Sequence, residues 1–449
     1  MFVKRVESDQ HDRIYFNSET LRKYQMEVEK VTLQLGMLTH EVTICTNDEL
    51  DAHTVGIPKR LFAELTLPED LEFEWELKDK RFVLGPFIGM IRYYNFEKIK
   101  LRNLNFLLRW LNDYKNIKGL IYVIPICEID IKNRFVNGYY YNPNKRKKEQ
   151  WTYGTFPFPC AAFHRPFLRL GKKYKILTDI IGDTCFNKNE PGKWEFYSWM
   201  TENPLTKGFV PYTENLEQMK QIYLLLEKYP MLYLKRRYGG LGNGIYQVRK
   251  TDQGFEVIDN KQQKHSFINR VKMEEHLGNI LKKHKYIVQQ GVPFQFDGKN
   301  IDFRAYLQKD GTMEWKFRGC IARVASSGNI TTNIRFTEKL IAGKEALMHL
   351  YGYQENTASE KIKKIEEACI LCGRSIDQFG GHYGDIALDF IFDHNDNIYF
   401  LEANSGYGHK SLALLREPQL RQEIMNSPIN YAKALAGFPS TSNKAYLSR

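Results

Sequence analysis

Three oxygen-bearing side chains near the C-terminus have types and spacing suited to a hard divalent cation. In residues 385–404 two apolar runs flank the polar turn Asp393-His394-Asn395-Asp396-Asn397, the pattern of a β-hairpin. Asp389 interrupts the first run, and Glu402 and Asn404, two apart, share one face of the second. A hairpin centred near Asn395 sets Asp389 opposite 402–404. Carboxylates on a buried face are costly unless a cation neutralises them. Hard oxygen donors with open positions suit Mg²⁺ bridging nucleotide phosphates. A solvated polar strand face is the rival reading, but the runs are too apolar for it.

A second group lies upstream. Residues 231–248 read as strand, Lys235, glycine-rich turn, strand, with Gly239, Gly240, Gly242 and Gly244 placing four glycines in six residues. Such a turn lets backbone N–H groups approach an anion, and Lys235 adds a point charge for phosphate. No G-K-[ST] closes the turn, so it is not a P-loop. A strand follows it and position 247 is not Gly, so it is not a dinucleotide fingerprint. An ordinary tight turn is the alternative.

The third group is Tyr286–Val292, with Gln289 and Gln290, followed by 300–308, read as two adjacent strands. Asp302 and Arg304 share a face there. Asp302 suits a ribose hydroxyl, and Arg304 suits a phosphate or the charge of a developing acyl phosphate. A structural cross-strand Asp–Arg pair is the rival. Arg323 and Asn333 follow in a strand, turn and extended segment, equally consistent with surface polarity.

Elements must position these groups. At roughly 150 residues per domain, 449 residues predict about three domains or two large ones. Residues 30–36 and 41–45 alternate as half-buried strands, and Pro58–Leu65 reads as a short helix opened by Pro. Residues 82–91 read as one strand punctuated by turn residues. A helix at 103–114 then precedes a buried strand at 119–126, and the order predicts a parallel βαβ unit. Tyr139–Trp151 reads as a loop whose aromatics and basic run offer nucleic acid a stacking and phosphate surface, against the simpler reading of a solvated loop. No internal repeat is present.

Composition bounds the rest. A hydrophobic share of 43% excludes a disordered chain. The net charge of +12 favours polyanionic partners without choosing among them. The N-terminal residues lack an apolar h-region, and no run reaches about 18 apolar residues, so neither a secretory signal nor a membrane span is expected. Seven cysteines, an odd number, fit a reducing compartment. Cys369 and Cys372 lie in a helical pattern as core thiols, with no second C-x-x-C to complete a zinc site.

Taken in order, Lys235 before the glycine-rich turn, the 286–292 hinge strand, the Asp302 strand and Asp389…Glu402-x-Asn404 resemble the ATP-grasp superfamily. The resemblance adds Lys193 in Gly192-Lys193-Trp194, ahead of a helix and of Pro211-Tyr212-Thr213. More specifically, the chain is similar to the YheC/YheD family of endospore coat-associated ATP-grasp proteins. The similarity is carried by Leu84-Gly85-Pro86-Phe87-Ile88-Gly89, residues 154–159 with His164-Arg165, Asp302-Phe303-Arg304 with Gln308, and Ala322-Arg323 with Thr332-Asn333. It spans about residues 30 to 415.

The resemblance implies a mixed α/β architecture in three parts: a strand-rich N-terminal module (1–75), a preceding α/β domain (76–185) and an ATP-grasp domain (186–449) whose two subdomains clasp nucleotide. It implies that Lys193 and Lys235 hold phosphates under the 239–244 loop, and that Gln289, Gln290 and Asp302 sit at the nucleoside. Asp389, Glu402 and Asn404 would hold Mg²⁺, while Arg304 and Arg323 stabilise transferred charge. The implied activity is ATP-dependent carboxylate–amine ligation through an acyl phosphate. Its unidentified carboxylate and amine substrates include a peptide or coat component as candidates, with no membrane partner. The implied location is the mother-cell cytoplasm or the spore coat. Two departures motivate the alternative of a non-catalytic nucleotide-binding coat protein. Arg236 follows Lys235 where the superfamily commonly has Pro, and Gln289-Gln290 stands where many ligases carry Glu.

Overall fold

The apolar runs pair into four β-sheets joined by helices, a mixed α/β chain. The structure is a computed structural model. It describes all residues except 9, 11, 28, 96–98, 166–170, 241, 293, 294, 297, 333–336, 410, 411, 413, 415, 416 and 440–449. The chain forms two compact units, one from 1–188, 309–314 and 425 onward, the other from 189–308 and 315–424.

In the first unit β1 (Phe2–Val6), β2 (Arg13–Phe16), α1 (Ser18–Lys23), β3 (Lys30–Leu35), β4 (Leu38–Thr46), β5 (Thr54–Pro58), β6 (Glu74–Lys78) and β7 (Arg81–Gly85) build the first sheet, ordered β1-β5-β2-β4-β3-β7-β6. The second sheet holds β8 (Phe87–Tyr93), β9 (Leu120–Pro125), β10 (Ile129–Asp130), β11 (Phe135–Tyr141), β12 (Trp151–Pro157), β13 (Ala161–His164) and β14 (Cys185–Phe186). Its order is β10-β11-β9-β8-β13-β14, with β12 beside β11. Between these strands run α2 (Leu101–Asn105), α3 (Tyr114–Ile117) and α4 (Gly171–Ile181). β8 and β9 are parallel with helical turns between them, the expected crossover.

Several local expectations fail for identifiable reasons. Pro58 closes a strand, and 59–65 form turns rather than a helix. The Arg5 guanidinium takes the carbonyls of Phe62 and Leu65, and Phe62 has φ +65°. Residues 82–91 are two strands in different sheets, because Pro86 has no N–H to continue a ladder. The 103–114 helix breaks into α2, a 3₁₀ turn at 106–110 and α3, where Arg109 and Asn112 side chains capture the Phe106 and Arg109 carbonyls. Tyr139–Tyr141 are not in a loop but in β11, paired with Trp151–Tyr153 of β12.

The second unit contains α5 (Lys193–Glu202), β15 (Thr213–Leu216), α6 (Lys220–Leu226), β16 (Met231–Arg236), β17 (Ile245–Thr251), β18 (Gly254–Asp259), β19 (Lys264–Phe267), α7 (Arg270–Leu281) and β20 (Tyr286–Gln290). Its strands form the third sheet, β15-β20-β16-β17-β18-β19. Then come β21 (Gln295–Phe296), β22 (Lys299–Lys309), β23 (Trp315–Ala325), β24 (Thr337–Ala342), α8 (Gly343–Tyr351), α9 (Glu355–Phe379), β25 (Asp385–Phe392) and β26 (Ile398–Asn404). They make the fourth sheet, β24-β23-β22-β25-β26, with β21 on β22. The strands at 286–290 and 299–309 are therefore not neighbours. β20 already has β15 and β16 on its two edges, and β22 has β23 and β25. Cys369 and Cys372 face the core from α9 with Ile365, Ala368 and Ile376, at helical spacing.

Candidate functional site

Strand alternation aims the polar residues away from the cores. On β16, Leu232 and Leu234 enter the third sheet's core, so Tyr233 and Lys235 take the opposite face. On β22, Ile301, Phe303, Ala305 and Leu307 enter the other core, leaving Asp302 and Arg304 opposite. On β23, Cys320, Ala322 and Val324 do the same for Arg323. On β25, Ile386, Leu388 and Phe390 enter it and Asp389 does not pair with them in the core.

β26 follows a different rule. Ile398 and Phe400 are core residues of the same parity as Glu402 and Asn404, so a regular strand would bury all four together. The ladder instead pairs Phe390 with Phe400 and Asp389 with Glu402, leaving Leu401 as an extra residue. This β-bulge reverses the phase of the strand. Ala403 returns to the core, and Glu402 and Asn404 join Asp389 on the opposite face.

The result is a cleft of about 820 Å³ within the second unit. Of the residues singled out from sequence, Lys193, Lys235, Gln289, Gln290, Asp302, Arg323, Asp389 and Glu402 line it. Gly239, Gly240, Gly242, Gly244, Arg304 and Asn404 do not. Arg304 holds Asp389 with two bonds of 2.7 Å, Nε to Oδ1 and an η-nitrogen to Oδ2. Arg323 makes a fork on Asp302 and reaches Asp389 at 3.0 Å. Asn404 Nδ2 lies 3.4 Å from both Asp389 and Glu402, so the hairpin does bring these three together. Asn333, which belonged to the sequence pattern, lies outside the described residues.

The lysines are arranged differently. Lys193 begins α5 and pairs with Glu402 at 2.7 Å, while its Nζ also donates to the Gly239 carbonyl at 3.1 Å. Lys235 donates to Gln289 Oε1 at 2.6 Å, and Gln289 Nε2 donates to Thr213 at 3.0 Å. Gln290 accepts at Oε1 from the Tyr212 N–H at 3.3 Å. The glycine-rich turn is tied down at its start, where Glu195 accepts from Arg237 and Tyr238. Gly244 has φ +69°, and a Cβ there would sit 2.3 Å from Arg236 Nε.

Burial pushes the Lys235 ammonium down to about 8, although Glu402 pulls it up. Burial alone would raise the Asp389 carboxyl, but Arg304 and Arg323 outweigh it and hold it well below the usual carboxylate range. Burial likewise works to raise Glu402, and Lys193 outweighs it, so this carboxyl also ends below its ordinary value. The cluster sets four cations, Lys193, Lys235, Arg304 and Arg323, against three carboxylates. Such an excess in a desolvated cleft favours a polyanion.

Sequence reasoning missed the cleft's apolar walls, Ile245, Val292, Ile301, Ile391 and Leu401. Ile245 directly after Gly244 was the available signal for them. It also missed Glu190, whose carboxylate accepts from Ser405 Oγ at 2.8 Å and fastens the segment after Asn404. Burial raises its pKa. No local spacing marks Glu190. Among the described residues no group of three or more His, Cys, Asp and Glu side chains is placed to hold a metal ion. The candidate donor set is two carboxylates and an amide.

Comparison with known proteins places these features in a family. The model described as YheC/D like ATP-grasp matches residues 182–435. The chain is 26% identical over 372 residues to the endospore coat-associated protein YheD of Bacillus subtilis (strain 168), covering 79% of this chain and 80% of that protein. Among solved structures, the VanG D-Ala:D-Ser ligase of Enterococcus faecalis gives a TM-score of 0.46 at 14% identity, covering 79% of this chain and 99% of that one. The ATP-grasp ligase PsnB complexed with minimal precursor gives 0.44 at 10% identity, covering 78% and 100%.

Proposed function

The chain belongs to the YheC/D like ATP-grasp family, and on that premise we propose that its cleft binds ATP with Mg²⁺ and serves an ATP-dependent carboxylate–amine ligase. The observation that carries this reading is the cation excess beside an apolar slot. Lys193 and Lys235 face a space walled by Ile245, Val292, Ile301, Ile391 and Leu401. The slot suits a planar base, and the lysines suit its phosphates. In this reading Asp302 receives the ribose and the 239–244 turn closes over the phosphates. Residues 186–449 act as the ATP-grasp domain, 76–185 as the preceding α/β domain and 1–75 as a strand-rich module.

Asp389, Glu402 and Asn404 fit a hard cation in chemistry, because their polar ends converge within hydrogen-bonding distance. When bound, Mg²⁺ would neutralise phosphate charge. A triphosphate would compete for Lys193 and free Glu402 for that role. Arg304 and Arg323 hold Asp389 in position and set positive charge where a transferred phosphoryl group develops negative charge. The carboxylate substrate would become an acyl phosphate that an amine attacks, releasing phosphate. A peptide or coat component is the proposed substrate class. The Bacillus relative, an endospore coat-associated protein, motivates an endospore-coat association reached from the mother-cell cytoplasm. No described helix is long and apolar enough to cross a membrane.

One observation favours a second reading, a nucleotide-binding coat protein without turnover. Asp389 and Glu402 are already paired with the chain's own cations. Calorimetry of ATP with and without Mg²⁺, on wild type and Glu402→Ala, tests the site. Mg²⁺-dependent binding that loses its Mg²⁺ dependence in the variant supports it, and no binding at millimolar ATP overturns it. ADP release on addition of amino acids or acidic peptides then separates ligase from scaffold.

A further inference from the structure

The segment after β23 is fastened along β22 at two points. The Asn300 side-chain amide donates to the Asn329 carbonyl at 2.8 Å, and the Thr332 hydroxyl donates to the Asp302 carboxylate. On the other side Thr337, which begins β24, donates from its hydroxyl to the Thr332 carbonyl at 2.9 Å. Thr331 therefore sits next to an anchored residue, and it lines the cleft together with Ile330 and Ile301.

Its hydroxyl differs from the polar groups around it. Among the described residues that line the cleft, Thr331 Oγ1 is the buried side-chain atom with no hydrogen-bond partner. Asp302 already holds Arg323, Lys235 holds Gln289, and Gln289 holds Thr213. A buried hydroxyl without a partner opposes folding, and a methyl group in its place would not. Buried polar groups are so regularly satisfied that an orphan in a cleft points to a partner that arrives from outside the chain. No bond holds the side chain in one rotamer, so a turn about χ1 brings the hydroxyl to a ligand.

The surroundings select the ligand group. Ile301 and Ile330 offer apolar surface, and Asp302, bonded to the neighbouring Thr332, offers an acceptor. Phosphate oxygens at neutral pH are acceptors too, so the group beside Asp302 must be one that donates, as an alcohol does. A sugar ring satisfies both demands, packing on the isoleucines and bonding through its hydroxyls. A threonine hydroxyl both donates and accepts, so it pairs with an alcohol in either sense. Resting on the reading of this cleft as a nucleotide site, we propose that Thr331 is a specificity-determining residue whose hydroxyl bonds a ribose hydroxyl. Asp302 and Thr331 together then bond the 2′,3′-diol, and the cleft takes ribonucleotides in preference to deoxyribonucleotides. A deoxy sugar leaves a protein hydroxyl unpaired, and sites built to bond a substrate hydroxyl reject the analogue that lacks it.

The test is calorimetry of the full chain with Mg²⁺, titrated with ATP, 2′-deoxy-ATP and 3′-deoxy-ATP, on wild type, Thr331→Val and Thr331→Ser. Wild type should bind ATP about tenfold tighter than at least one deoxy analogue. Thr331→Val should abolish that preference, weakening ATP about five- to tenfold and the disfavoured analogue by less than about twofold. Its melting temperature without nucleotide should stay level or rise, because the hydroxyl had no partner to lose. Thr331→Ser, which keeps the hydroxyl, should keep the preference. If wild type binds all three nucleotides equally, or Thr331→Val weakens all three alike, the proposal is overturned while the nucleotide reading stands. A lower melting temperature in Thr331→Val would show that the hydroxyl is paired within the chain and would also overturn it. No binding of any of the three overturns the nucleotide reading and this inference with it.

Discussion

On the third sheet Lys235 rests against a neutral amide, Gln289, whereas on the fourth Asp302, Arg323, Asp389 and Arg304 are joined into one chain of ion pairs. Both are charged groups on buried strand faces, and both carry desolvation costs, but they are met differently. Among the described residues no carboxylate forms an ion pair with Lys235, and burial lowers its pKa to about 8. A phosphate arriving there gains a partner that the chain does not already supply. The fourth-sheet charges compensate one another, and removing one leaves others stranded in the interior. Charge on the third sheet is thus available for binding, and charge on the fourth is mainly framework.

The most damaging way to break this contrast is to remove both arginines of the network, Arg304→Met together with Arg323→Met. Asp389 then loses both of its guanidinium partners and Asp302 loses its fork. We expect a loss of folding, or of more than about 5 kcal/mol, since two carboxylates are left unpaired in the interior. Denaturant titration reads it, and a double variant no less stable than Arg323→Met alone would show that Arg304 is not framework.

Next in size is Arg323→Met. It strands the buried Asp302 carboxylate and takes one of two arginine partners from Asp389, and should cost about 3–5 kcal/mol in urea unfolding. A loss below about 1 kcal/mol would show that the pairs are not framework.

Lys235→Met should do the reverse. Nucleotide affinity should fall roughly 100-fold, about 2.7 kcal/mol, while the melting temperature at pH 7 stays level or rises. The sign follows from the depressed folded-state pKa. The native state holds the proton less tightly than the unfolded chain, so at neutral pH the buried cation opposes folding, and that cost fades as pH rises from about 8 towards 10.5. Binding has its own pH signature. Below about 8 the lysine is already charged and affinity is flat. Above it the anion must draw in a proton, so Kd should rise by up to tenfold per pH unit, and a flat profile from 7 to 10 would remove Lys235 from the phosphate site.

The smallest effect expected is from Glu195→Ala. It unties Arg237 and Tyr238 at the start of the glycine-rich turn and should weaken nucleotide binding only about three- to fivefold, about 1 kcal/mol. An effect as large as that of Lys235→Met would mean the turn, not the lysine, dominates.

Features set by neighbours in the chain were legible in the sequence. The 385–404 hairpin is one, because its turn residues and apolar runs are contiguous, and it brings Asp389 opposite Glu402 as the spacing implies. Lys235 ahead of the glycine-rich turn is another, and the core-facing Cys369 and Cys372 on α9 a third, since helical periodicity is written in consecutive residues. Tertiary structure decided the rest. The sequence put Asp302 and Arg304 on one strand face and left a cross-strand Asp–Arg pair open as the rival to a ligand role. Strand order gave Asp302 to Arg323, 21 residues on, and Arg304 to Asp389, 85 residues on. The alternation rule cannot foresee the extra residue at Leu401, which inverts the face of everything after it, because a bulge is chosen by which phase buries the apolar side chains. Glu190 and Ser405 are 215 residues apart and meet only when the chain has folded. Local periodicity determines which residues share a face, and the order and register of strands determine which opposite charge each one meets.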